Sequence, residues 1–169
     1  DPENERYYEI AANRSSEIKQ SLDYLAQAVN KFNNDHYIIN AYISRLLDYC
    51  EDTPVLSERE IELKKIDENI KRSLELFPYI DNFAYTYKVR YIKLYYNNDI
   101  EKKKTYFEDI CKEVIGLSKY HPRTLCVLRT TKSDKLTEKL FKEALEFYQK
   151  ADNDNYIENT YIELIKWYD

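Results

Sequence analysis

Cys111, His121 and Cys126 fall within sixteen residues of one another, and thiolate and imidazole are the side chains that hold zinc. No two of them have the close spacing by which a zinc module offers a pair of ligands from one turn. Cys111 shares an apolar helical stripe with Phe107, Ile110, Val114 and Leu117, so a packed thiol is the expected role. Cys50 and Cys126 are read the same way. The two histidines, His36 and His121, both sit at predicted turns. The chain has no glycine-rich phosphate loop and no His-Glu-x-x-His helix. Its carboxylates are scattered as on any surface helix, and none stands out as a general acid. The sequence is therefore expected to be non-catalytic, with no cofactor and no metal.

The elements that position these residues are helices. One glycine and four prolines in 169 residues leave almost no breakers outside the turns. Parallel sheets, phosphate loops and tight hairpins need glycine where other residues resist the backbone conformation. An all-α class follows. The length suffices to bury roughly two-thirds of the surface. No long polar linker interrupts the chain, so a single helical-repeat domain over residues 1–169 is expected. Charged residues make up 34 % with both signs interleaved and a net charge of -5. The longest basic run, Lys102-Lys103-Lys104, is soon followed by Glu108 and Asp109, so no nucleic-acid partner is expected. No apolar stretch approaches a membrane span, and no membrane partner is expected. Three cysteines, an odd number, argue against a disulfide framework and for a cytoplasmic setting. Methionine is absent, and the chain opens Asp1-Pro2-Glu3-Asn4, which reads as a fragment of a longer protein. Eighteen tyrosines beside abundant Asn, Ile and Lys match the usage of an AT-rich genome, so their number alone is not functional.

Apolar stripes at helical spacing mark about nine helices. Pro2 and Glu3 suit the first turn of a helix carrying Tyr7, Tyr8, Ile10 and Ala11. Ile18, Leu22, Leu25, Val29 and Phe32 define a second, ending at Asn33-Asn34-Asp35. The third runs from about His36 to Cys50 with Ile39, Tyr42, Ile43, Leu46 and Leu47, and a loop is expected over 51–56. Ser57 and Glu60 form a capping box for the fourth. That helix carries Leu63, Ile66, Ile70, Leu74 and Phe77, and its wet side pairs Glu60 with Lys64, Asp67 with Lys71 and Glu68 with Arg72. The fifth, about Ile80 to Tyr96, is the most aromatic. The sixth reaches Tyr120 and the seventh spans roughly Arg123 to Thr130. After a turn at Lys132-Ser133-Asp134 the eighth carries Leu140, Phe141, Ala144 and Tyr148. The last starts near Asp154 with Ile157, Tyr161, Leu164, Ile165 and Trp167. Short turns make consecutive helices antiparallel.

Helix ends recur. Ser73-Leu74-Glu75-Leu76-Phe77-Pro78 and Gly116-Leu117-Ser118-Lys119-Tyr120-His121-Pro122 each run small, apolar, spacer, aromatic, proline. Ala28-Val29-Asn30-Lys31-Phe32-Asn33 and Ala144-Leu145-Glu146-Phe147-Tyr148 echo them, and self-similarity at this period indicates stacked helical pairs. Ile66, Ile70, Ser73 and Pro78, and likewise Ser21, Leu25, Ala28 and Asn33, fall at the spacing of the second helix of a tetratricopeptide repeat (TPR). Ile39-Tyr42-Ile43-Leu46 and Ala84-Tyr87-Lys88-Tyr91 fall at the spacing of its first helix. The chain thus resembles a degenerate TPR-like array with a longer period, in which Ile43, Lys88 and Tyr161 replace the family's small residue.

The resemblance implies an α-solenoid of about nine antiparallel helices, whose odd helices line a concave groove. In the family's register the groove-facing residues are Tyr37, Asn40, Ser44 and Leu47, then Asn82, Tyr85, Val89 and Lys93, and on the last helix Asn155, Glu158, Ile162 and Ile165. Amide side chains can hydrogen-bond a peptide backbone, and tyrosines give flat contact area at low entropic cost. A protein or peptide interaction module is the expected function. The alternative is a regulatory or sensing region that controls an effector domain of a larger bacterial protein. Apolar residues at the solenoid's end, Trp167 and Tyr168, suggest a homo-oligomer through the C-terminal end.

Overall fold

Short polar side chains start five of the helices described in this chain. The computed structural model describes residues 4–53, 56–131 and 134–168, the side chains of 56–58, 134–136 and 167 excepted. Among them lie nine helices and no strand: α1 (Glu5–Arg14), α2 (Ile18–Lys31), α3 (His36–Asp52), α4 (Leu56–Leu76), α5 (Ala84–Tyr95), α6 (Ile100–Leu117), α7 (Pro122–Thr131), α8 (Asp134–Lys150) and α9 (Asp154–Tyr168). The first amides of a helix have no partner within it. Asn4 accepts from the Arg6 amide at 2.9 Å, and the Asp35 carboxylate accepts from Tyr37 at 2.7 Å and Ile38 at 3.3 Å. Asp99 accepts from Lys102 at 3.0 Å, and the Asn153 amide oxygen from Tyr156 at 3.2 Å. The Asn-Asn-Asp runs of the sequence are thus caps as well as turns. After α8 the chain reverses through Asp152 at φ 52°, a left-handed residue that lets the Asn153 amide reach the Tyr148 carbonyl.

Most predicted helices match to within two or three residues, and the exceptions have local causes. α3 continues through Glu51 and Asp52, so the loop expected over 51–56 is shorter. α5 begins at Ala84 instead of Ile80, because Asn82 caps it; Ile80 is buried from the preceding loop. α6 stops at Leu117, short of Tyr120, with Ser118 extended. The two recurring prolines also differ. Pro78 lies beyond the end of α4, whereas Pro122 opens α7, where its missing N–H costs nothing. On α4, Lys71 meets Asp67 at 2.6 Å as expected, but Arg72 donates to the Asn33 carbonyl. The Ser57 side chain of the capping box, Pro2-Glu3, Lys132-Ser133 and the Trp167 side chain lie outside the described residues.

The chain divides into two compact units. The first contains α1–α5 and excludes Tyr79–Asp81, which group with α6–α9 in the second. In the first unit each even helix packs on both of its sequence neighbours, and α3 also packs on α1 and α5. α3 is therefore the centre, and it buries Ile38, Ile39, Ile43, Leu46, Leu47 and Cys50 against Leu25, Val29, Ile66 and Ile70. In the second unit α7 packs on α6, α8 and α9, around Leu125, Leu128, Leu140, Phe141 and Ala144. Sequential neighbours pack throughout each unit, with odd helices on odd, as in a helical array.

A buried amide joins three helices of the first unit. Asn82 Nδ2 donates to the Ser73 and Phe77 carbonyls, both at 2.9 Å, which closes the end of α4. Its Oδ1 accepts from the Ala84 amide at 3.0 Å, which opens α5, and from Asn40 Nδ2 of α3 at 2.8 Å. Ser73 Oγ donates to Asn40 Oδ1 at 3.0 Å and completes the triangle. All three residues are buried. In the second unit Thr124 of α7 plays a lesser version of this part, its hydroxyl donating to the Ser118 carbonyl at 2.7 Å with the Val114 carbonyl at 3.3 Å.

Two substitutions test this account. Asn82→Ala orphans a helix-end carbonyl, a helix-start amide and the Asn40 amide together, and is expected to cost roughly 3–5 kcal/mol of unfolding free energy in a urea titration. Gly116 lies within α6 with a φ that is not positive, and a Cβ there would meet nothing within 4 Å. Gly116→Ala is therefore expected to stabilise by about 0.5–1 kcal/mol.

Candidate functional site

A cleft in the first unit is lined by residues of α1, α2, α3 and α5, and of the predicted groove residues it includes Ser44 alone. α1 contributes Glu9 and Asn13, α3 contributes Ala41, Ser44, Arg45 and Asp48, and α5 contributes Tyr87, over a floor that includes Leu25. The open volume is about 260 Å³. Arg90 of α5 reaches one of its lining carboxylates, with Nη2 on Asp48 Oδ1 at 2.9 Å, and also binds Glu51, through Nη2 on Oε2 at 2.8 Å and Nε on Oε1 at 3.0 Å. Burial alone would lower the Arg90 pKa, but the hydrogen bonds to Glu51 and Asp48 outweigh it and hold the guanidinium above its ordinary value. Arg45 lies 4.0 Å from the other Asp48 oxygen. One carboxylate thus sits between two guanidinium groups.

The remaining predicted groove residues fall into two groups. Asn40, Leu47, Asn82, Tyr85 and Val89 are buried, and the expectation that they face a groove is corrected. Asn40 and Asn82 meet each other within the packing of α3, α4 and α5. Burial of such amides holds only because each finds partners. Tyr37 is 66 % exposed at the start of α3, beside His36, whose ring stacks on Phe77 at 4.4 Å. Lys93 is exposed in the last turn of α5, and neither it nor Tyr37 lines the groove. Asn155, Glu158, Ile162 and Ile165 are exposed on α9 in the second unit. The face of α3 that lines this cavity, centred on Ser44, Arg45 and Asp48, is turned by roughly 70° from the predicted one, since each helical residue advances about 100°. Asn13, Arg45 and Tyr87 were missed. Their signal was their place between apolar stripes on odd helices.

A second cleft lies on the even-helix side of this unit. α2 and α4 do not pack on each other among the described residues, and Tyr42, Leu46 and Tyr49 of α3 lie between them. Lys65, paired with Glu62 at 2.9 Å, stands at its edge, and burial raises the Tyr42 hydroxyl pKa.

The thiol and imidazole groups have packing roles. Burial pushes the Cys50 thiol up to about 11 and raises Cys111 and Cys126, which favours the unreactive protonated form. Cys111 Sγ lies 3.3 Å from the Thr131 hydroxyl, and Cys126 Sγ 3.8 Å from Arg129, which also binds Glu163. Among the described residues no three His, Cys, Asp or Glu side chains converge as metal ligands would. His121 is a cap: its Nδ1 accepts the Arg123 amide at 3.2 Å, and Nε2 lies 3.0 Å from Asp81 Oδ1. This requires the neutral tautomer with the proton on Nε2. Among the described residues no helix is long and apolar enough to cross a membrane. No protein family, no curated protein and no solved structure matches the chain.

His121 makes stability depend on pH. Burial lowers its pKa below 6.5, against a smaller opposing pull from Asp81. The unfolded chain therefore takes up the proton first as pH falls, and stability present above pH 6.5 is lost below it. His121→Asn keeps a cap acceptor without the titration. The loss of urea midpoint between neutral pH and pH just above the carboxylate range is expected to be smaller in the variant than in the parent.

Proposed function

We propose that this chain is a non-catalytic interaction module, built on a tetratricopeptide-like plan, that binds an extended segment of another protein along the groove of α1, α3 and α5. The observation that carries this reading is the lining of that groove. Asn13 offers a donor and an acceptor, Ser44 a hydroxyl, and Arg45 and Asp48 charges of both signs, over the apolar Leu25 and Ala41. A peptide backbone alternates N–H and C=O along its length, and such a mixed surface can meet both. Tyr87 adds a flat aromatic wall. The packing of odd helices on one another supports the tetratricopeptide-like plan, because it is what places one face of each beside the next. Three free thiols fit a reducing compartment such as the cytoplasm.

Peptides selected from a displayed random library provide the test. Ser44→Trp fills the groove from a half-buried position and should weaken the selected peptides roughly tenfold or more, while the urea midpoint stays near that of the parent. Arg45→Glu should shift the preference among peptides by charge. Peptides that bind the parent and Ser44→Trp equally, or a selection that yields none, would remove the groove reading.

A further inference from the structure

α9 carries an apolar stripe that its own unit does not cover. Its inward side is used: Thr160 is buried, Ile157 and Leu164 pack on the core of the second unit, and Glu163 binds Arg129 at 2.8 Å. On the other side Tyr161, Ile162 and Ile165 are 44 %, 40 % and 60 % exposed. Their spacing of one, three and four residues places them on one face, the pattern of a helix-pairing seam. An isolated exposed isoleucine needs no explanation, but a contiguous stripe on one helix marks a contact surface.

We propose that this stripe is where two copies of the chain associate, α9 against α9, antiparallel about a two-fold axis near Ile162. The distribution of charge along the helix selects this occupant. Asp154 and Glu158 precede the stripe and Lys166 follows it. An antiparallel copy places its Lys166 against Glu158 and its Glu158 against Lys166, so each ion pair is made twice. A parallel copy places like charge on like. Antiparallel pairing also sets the positive start of one helix beside the negative end of the other. Lys166 reaches Glu163 at 3.3 Å yet its side chain is 53 % exposed, so it stays accessible to a partner carboxylate. A surface that is self-complementary in this way closes as a dimer and does not extend into a fibre. The inference stands apart from the groove of α1, α3 and α5, because none of its residues lies on those helices.

Sedimentation equilibrium of the whole chain from micromolar to millimolar concentration tests it. A reversible monomer–dimer equilibrium is expected. Ile165→Glu should raise the dimer dissociation constant roughly tenfold or more, with the circular dichroism spectrum and melting temperature held because the residue is exposed. Glu158→Lys should weaken the dimer, and Glu158→Lys with Lys166→Glu should restore it. A monomer at every concentration, or a dimer indifferent to Ile165→Glu, overturns the proposal. Failure of the charge reversal to restore the dimer overturns the antiparallel arrangement. Capture of a different protein through Ile165 by a chain that stays monomeric assigns the stripe to that partner and overturns self-association.

Discussion

The first unit depends on a single carboxamide that has to be satisfied out of water. Asn82 is buried, and a buried amide without partners costs on the order of 2 kcal/mol or more. It meets that demand with groups that themselves need partners: the last carbonyls of α4, the first amide of α5 and the amide of Asn40. Apolar packing tolerates a helix that slides or turns slightly. This arrangement does not, because a hydrogen bond weakens steeply once its angle closes. The registers of α3, α4 and α5 are therefore linked through one side chain, and their apolar contacts follow from that alignment.

The groove is a consequence of the same lock. Turning Asn40 of α3 and Asn82 before α5 inward leaves the next quarter of each helix facing out together. Ser44, Arg45 and Asp48 then stand near Tyr87 and Arg90. Arg90 crosses from α5 to two carboxylates of α3, and a partly exposed ion pair of this kind contributes about 1 kcal/mol or less. Its value lies in orientation: it fixes where Asp48 points. Polar chemistry at the surface is thus positioned by polar chemistry inside.

The helices were legible because their ends are chemical. Asp35 and Asp99 cap helices at the end of runs that the sequence marks as turns, whereas Asn4, expected inside a first turn begun by Pro2 and Glu3, is itself the cap of α1, which starts at Glu5. The stripe of α6 likewise placed Ile110, Cys111 and Val114 inside. The site was read less well, for a physical reason. Asparagine and tyrosine are at home on either side of a helix, so Asn40, Asn82 and Tyr85 looked like groove residues while being core residues. Only knowledge of which amide finds which carbonyl separates the two, and that is a property of three helices at once. Pro78 and Pro122 mislead in the same way: a proline follows one helix and starts another, and the letters around it are alike.

The near-neighbour packing also bears on how the chain acquires its shape. Among the helix-to-helix hydrogen bonds described above, the widest separation is 42 residues, for Asn40–Asn82 and Asp48–Arg90. Short loops close cheaply, and chains dominated by such local contacts are the fast folders. The residues of the first unit end at Tyr95. On a ribosome it can therefore assemble while the residues after α6 are still being added, so its apolar faces spend little time exposed before they are covered.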